Sequence, residues 1–226
     1  MLSLLLLVTL ALPPGATDPL ETARDAQDRP QLERLVAEAK KIVDRQPNLV
    51  ASQYRFALAQ SYLAEVALEL KDKPAARAAA ETGIEAARKT VALDDKSAPN
   101  HSLLGTLCAQ VIPANVLVGL KYGRCALDEI NKAIELDPKY AEAWLRHGVG
   151  NYYLPTQFGG GTDLAIKDFE KAVQLNPKSG EAYLWMGVAL RKANKNAEAR
   201  KAFAKAVELN PRRVWAKQQL EKTPAQ

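Results

Sequence analysis

Apolar residues return along this chain at the spacing of one helix face, and they do so in successive pairs of segments. From Gln31 to Arg45 the positions Leu32, Leu35, Val36, Ala39, Ile42 and Val43 fall on one side of a helix, and Pro47 follows its end. The same period predicts a long helical pair, Val50 to Leu70 and Lys73 to Leu93, joined by a Lys-Asp-Lys-Pro turn in which Pro74 suits the first turn of the second helix. Ahead of these, Thr17 to Arg29 is polar, acidic and aperiodic, and reads as a flexible leader closed by Pro30. After them, three further pairs carry landmark side chains in register. The last shows Tyr183, Met186, Gly187, Leu190, Ala199, Phe203, Ala206 and Pro211; Pro177 lies 34 residues before Pro211, and Pro138 lies 39 before Pro177.

Counted back from Pro211, those landmarks occupy positions 4, 7, 8, 11, 20, 24, 27 and 32 of a 34-residue unit, and the pattern resembles the tetratricopeptide repeat (TPR). The preceding unit repeats it with Trp144, His147, Gly148, Ala165, Phe169, Ala172 and Pro177, and the one before with His101, Leu104, Gly105, Cys108, Ala126, Ile130, Ala133 and Pro138. The resemblance is close over residues 98–211 and loose over 31–95, where Gln53 and Thr90 stand in place of an aromatic residue and an alanine. It implies an all-α fold, a TPR-like α-solenoid of antiparallel helix pairs with a C-terminal capping helix. The expected divisions are a half-repeat at 31–47, a divergent repeat at 48–95, repeats at 98–138, 139–177 and 178–211, and a cap at 212–222. An array of this kind has no single central core; each unit packs on its neighbours.

The resemblance also implies which residues are free for function. Large landmarks such as Trp144, Phe169, Tyr183 and Phe203 fill the space between helices, and small ones such as Gly148 and Gly187 sit where helices cross. The inner face of each first helix lines a concave groove, which here assigns Tyr54, Leu58, Tyr62, Ser102, Thr106, Gln110, Leu145, Val149, Tyr152, Tyr153, Leu184, Val188, Arg191 and Lys192 to a partner-binding surface. That surface is aromatic and aliphatic with a basic edge, and suits an extended peptide, a partner helix or an amphipathic small molecule. The Lys and Asn pattern with which chaperone-binding TPR proteins hold two carboxylates is absent. Two insertions interrupt the units. Ile112 to Gly123 is more apolar than a loop requires, and either folds back over its own repeat to cover the groove or forms a mobile lip; Tyr-Tyr-Leu-Pro-Thr-Gln-Phe-Gly-Gly-Gly-Thr-Asp, from 152 to 163, places Gly159 to Gly161 at a helix tip, where Thr162 or Asp163 can cap the next helix. The latter segment resembles exported bacterial TPR proteins, the regulator of microtubule dynamics family and the TPR component of TRAP-type transporters. The last implies a periplasmic helper contacting a hydrophobic ligand, but that family's lipid-anchoring cysteine is missing here.

Residues 1–16, with the run Leu-Ser-Leu-Leu-Leu-Leu-Val-Thr-Leu-Ala-Leu before Pro13, Pro14, Gly15 and Ala16, read as a signal peptide and predict an exported, periplasmic protein. Eleven residues span about 17 Å as a helix, too short to cross about 30 Å of hydrocarbon. The formal charge of +5 is uneven: from Lys178 onward there are eleven Lys and Arg against four Glu, a basic end that caps the array. No nucleic-acid-reading motif accompanies it. Cys108 and Cys125 lie near facing positions of one repeat, and either bridge in an oxidising compartment or remain two buried thiols. His101 and His147 fall at positions that point between helices. No cofactor or metal is expected, since no clustered His, Cys or Asp spacing and no nucleophile motif occurs, and no enzyme is expected. Three functions stay open: a non-catalytic scaffold binding a protein or peptide of unknown identity, a carrier of an amphipathic ligand, or a self-associating structural protein.

Overall fold

In the computed structural model, which describes residues 17–114 and 116–225, the described residues form eleven α-helices and two short 3-10 turns, with no strand. They are α1 (Pro19–Asp25), α2 (Arg29–Arg45), α3 (Val50–Glu69), α4 (Lys73–Leu93), α5 (Ala98–Val111), α6 (Val116–Leu136), α7 (Ala141–Tyr153), α8 (Thr162–Leu175), α9 (Gly180–Lys192), α10 (Asn196–Leu209) and α11 (Val214–Glu221). The expected signal peptide lies outside the described residues. Within them, no helix is long and apolar enough to cross a membrane.

Helix starts follow local chemistry. Asp18, Asp28 and Asp72 each accept a backbone N–H of the helix they cap, with a proline in the first turn that has no N–H to satisfy. The turns between repeats reuse one device. Asp94, Asp137, Asn176 and Asn210 each accept, through the side-chain oxygen, the N–H two residues on. The residue after that donor then enters the next inner helix as its N-cap, which places Ser97, Tyr140, Ser179 and Arg213 at equivalent points.

Each helix packs on its sequence neighbour, and α3, α5, α7 and α9 also touch in succession, so these form the inner layer of the solenoid. Close crossing is set by glycine. A Cβ on Gly105, Gly148 or Gly187 would come within 2.7 Å of Ile130, 2.6 Å of Phe169 or 2.7 Å of Phe203 respectively, the same two repeat positions each time. In the divergent first repeat the two off-pattern residues are buried and satisfied: Gln53 donates to the Pro47 carbonyl at 2.7 Å, and the Thr90 hydroxyl to the Ala87 carbonyl at 2.7 Å.

Four expectations are refined. The leader is not flexible, because its residues 19–25 form α1, whose Leu20 and Ala23 are buried against α2 and α3 and supply the missing first helix of the half-repeat. The first insertion is helical and its described side chains fold back on their own repeat: Ile112–Ala114 make a 3-10 turn and Val116 onward lengthens α6. Ile112 and the buried Tyr122 pack on the α4–α5 core, and the Tyr122 hydroxyl meets Glu81 of α4 at 3.4 Å. Cys108 and Cys125 are joined by a disulfide between α5 and α6. In the second insertion Gly159 and Gly161 take φ of 87° and 123°, and Gly161 rather than Thr162 or Asp163 is the N-cap of α8.

Substituting Gly187→Ala forces a methyl into the Phe203 ring and is expected to cost about 1–3 kcal/mol. Gly123→Ala, where no atom lies within 4 Å of the new Cβ, is expected to stabilise by up to about 1 kcal/mol. Urea unfolding of the two variants checks both signs.

Candidate functional site: a concave cavity closed by an arginine clasp

The inner layer curls until its ends meet. Arg213, 1% exposed, leaves the turn after α10 and points into the concave side. Its Nε donates to Glu181 Oε1 at 2.7 Å, Nη2 to Glu65 Oε1 at 2.6 Å, and Nη1 to Glu69 Oε2 at 3.1 Å; Nη2 also meets Glu69 Oε1. Glu65 and Glu69 sit one turn apart on α3, so a single guanidinium joins residues 144 and 148 positions away in sequence to the end of the array. Around it, Asn210 Nδ2 donates to Asp25 Oδ2 at 2.7 Å, Gln27 Nε2 to Glu69 Oε2 at 2.8 Å, and Gln218 Nε2 to Gln27 Oε1 at 3.2 Å. Arg24 pairs with Asp25 at 2.7 Å and lies 4.8 Å over the Tyr62 ring.

Burial by itself would lower the pKa of Arg213 and Arg24, but Glu181 and Glu65 outweigh it, so both guanidiniums are held above their usual range. The carboxyls divide. Burial raises Glu69, and Glu65 adds to the rise while Arg213 opposes it, leaving its pKa at about 7. Glu181 is buried too, yet Arg213 and Arg24 overcome that and bring it down to about 2. Four carboxyls, Asp25, Glu65, Glu69 and Glu181, thus share two guanidiniums.

Beside this clasp is a half-open cavity of about 930 Å³, lined among others by Tyr54, Tyr62, Ser102, Thr106, Tyr140, Glu142 and Arg146. Arg146 Nη2 binds Glu142 Oε1 at 2.5 Å. Burial pushes up the phenols of Tyr54, Tyr62 and Tyr140, so they stay neutral hydroxyls. Tyr140 is the N-cap residue of α7, delivered inward by the same turn that delivers Arg213.

The expected groove splits in two. Tyr54, Leu58, Tyr62, Ser102 and Thr106 line the cavity. Gln110 adjoins it, bonded to Ser61. Leu145, Leu184 and Val188 do not line it: Leu145 is buried against Phe169 and Ala182, while Leu184 and Val188 are buried in a cluster with Phe203, Ala216, Trp215 and Leu220. Here α11 continues the inner layer and covers what would otherwise be open. Val149 packs with Trp144 and Tyr152 in the cluster around Phe169. Arg191 is spent on α11, through the Gln219 side chain at 2.5 Å and Thr223 Oγ1 at 3.2 Å. Lys192 bonds the Tyr152 carbonyl at 2.8 Å. Tyr152 and Tyr153 join an aromatic cluster with Trp185 and Trp215 rather than the cavity. Glu65, Glu69, Tyr140, Glu142, Arg146 and Arg213 were not singled out from sequence. The available signals were a pair of carboxylates one turn apart in the last turns of α3, and an arginine at an N-cap position.

His101 and His147 are each held by a carboxylate of the paired helix, Glu129 at 2.6 Å and Asp168 at 2.9 Å. Among the described residues no group of three or more His, Cys, Asp and Glu is placed to hold a metal ion.

Residues 158–213 match a tetratricopeptide repeat family model. No curated protein sequence matches the chain. Among solved structures, a thermophilic TPR protein of Thermus thermophilus is similar at 19% identity and a TM-score of 0.61, over 90% of this chain and 97% of that one. A haemophore of Porphyromonas gingivalis, HusA, is similar at 17% identity and a TM-score of 0.59, over 80% and 96%. These likenesses are of fold, and they agree with the TPR-like solenoid seen here.

Arg213→Met leaves Glu65 and Glu69 without their bound cation and Glu181 with Arg24 alone, and is expected to cost about 3–5 kcal/mol in chemical denaturation, far above the loss from removing an exposed pair. The two shifted carboxyls also set a pH profile. Glu181 binds its proton less readily folded than unfolded, so its contribution is lost as pH falls from 4.5 through about 2; Glu69 binds its proton more readily, so its contribution is lost as pH rises from 4.5 through about 7. Stability measured against Glu69→Gln is therefore expected to decline between pH 4.5 and 7. A difference that grows over that range contradicts the assignment.

Proposed function

We propose that this chain, with tetratricopeptide repeats over residues 158–213 and a TPR-like solenoid fold throughout its described length, is a non-catalytic exported binding protein. It takes a short protein segment into the concave cavity. The fold is that of protein–protein interaction scaffolds, and the observation that carries the finer reading is the cavity itself. About 930 Å³ is held open between the inner helices and the clasp, and Tyr54, Tyr62 and Tyr140 line it. A cavity this size falls within the range of small-ligand pockets and is too confined for a long helix. The half-open shape admits a few residues of extended chain. Export is supported by the apolar N-terminal run and by a disulfide, which persists in oxidising compartments.

Closure of the solenoid favours a second reading, carriage of a small ligand. HusA, a haemophore, has a similar fold, which supports a carrier role for a solenoid of this length. The charged and phenolic lining here suits a polar or amphipathic ligand better than a hydrophobic one.

The discriminating experiment is affinity capture from envelope extract with residues 17–226, beside a Ser102→Trp, Thr106→Trp variant that fills the cavity, followed by native mass spectrometry of the purified chain. A protein held by the wild type and lost by the folded variant is expected. A bound small molecule with no protein partner favours the carrier, and capture unaffected by the filled cavity contradicts both.

A further inference from the structure

This inference rests on the reading of the cavity as the binding surface. The inner face already holds guanidinium groups in two ways. Arg213 is gripped by three carboxyls, and Arg24 is stacked on the Tyr62 ring and paired with Asp25. Even so, the acids outnumber the bases. Asp25, Glu65, Glu69 and Glu181 are all at most 15% exposed at the side chain, and with Glu142 they face three guanidiniums, Arg24, Arg146 and Arg213, a formal excess of two negative charges that falls toward one where Glu69, with its pKa raised to about 7, holds a proton.

Other charges near the mouth do not cancel this. Lys178 and Arg212 stand exposed at the rim, where solvent and salt screen them, and Arg212 donates to Thr17. Glu21 lines the same mouth with no hydrogen-bond or ion-pair partner among the described residues. Tyr62, 8% exposed, lines the cavity, and its ring already carries the Arg24 guanidinium at 4.8 Å. Tyr54 of α3 and Tyr140 at the start of α7 add aromatic rings to the lining. Excess carboxylate and aromatic side chains together make a receptor for a planar cation.

We propose that the cavity selects a peptide segment bearing an arginine, whose guanidinium enters between the Glu21 carboxylate and the aromatic residues Tyr54, Tyr62 and Tyr140 and repeats the carboxylate and ring contacts that Arg24 and Arg213 make within the chain. The partner is a basic protein segment, and electrostatic attraction to the interior sets its preference over neutral or acidic segments.

The test uses residues 17–226 and three fluorescein-labelled octapeptides of glycine and serine carrying two arginines, two citrullines or two glutamates. Binding is followed by anisotropy at low salt, and its place by amide NMR shifts. The arginine probe is expected to bind about tenfold more tightly than the citrulline probe, the loss of one charge-assisted hydrogen-bonded contact, and to shift the amides of Tyr54, Ser102 and Tyr140. Glu21→Gln, at the exposed mouth, is expected to weaken the arginine probe about fivefold, leave the citrulline probe unchanged and preserve the fold. Citrulline or glutamate binding as tightly as arginine while shifting the same amides overturns the cation preference and leaves peptide binding standing. Absence of cavity shifts with every probe overturns both.

Discussion

One buried guanidinium decides the shape of this molecule. A solenoid of helix pairs is held by contacts between neighbours, and nothing in those contacts requires its two ends to meet. Arg213 makes them meet, through bonds to Glu65 and Glu69 on α3 and Glu181 on α9. It converts an open superhelix into one closed around a cavity. Removing a charge from water is costly, and the cost is offset here only because each N–H that points inward finds an oxygen. The same interaction fixes α1, whose Asp25 and adjoining Gln27 are bonded to the C-terminal residues Asn210 and Gln218.

The clasp and the cavity follow from one repeated local device. The Asx turn that ends each outer helix places the N-cap residue of the next inner helix at the concave side, which sends Tyr140 inward in one repeat and Arg213 inward after the last. Two residues on, Glu142 and Glu181 occupy equivalent positions and serve Arg146 and Arg213. Repetition therefore builds the chemistry of the interior as well as its packing, and small changes at one repeat position distinguish a hydroxyl, a phenol and a guanidinium.

How much of this was legible in the sequence depends on the range of the interactions. The repeat landmarks were readable because they report contact between adjacent helices, as Gly187 against Phe203 and Gly148 against Phe169 confirm. Even the off-pattern pair α3 and α4 was legible, because its apolar period is long. Helix α1 was not: seven residues hold only Leu20 and Ala23 as buried apolar positions, too few to set a period, and its order comes from distant partners. The groove was half legible. Tyr54, Tyr62, Ser102 and Thr106 line the cavity as expected, whereas Leu184 and Val188 lie in the core packed with α11, because the capping helix continues the inner layer. Periodicity states which face a residue occupies; it does not state where the superhelix returns upon itself.

The most direct measurement of this account is hydrogen exchange of the α1 amides, Leu20 to Asp25, in wild type and in Arg213→Ala. The clasp predicts strong protection in the wild type and its selective loss in the variant, with the amides of α8 to α10 still protected. Exchange of α1 at unstructured rates in the wild type, or protection indifferent to Arg213, would contradict closure of the solenoid.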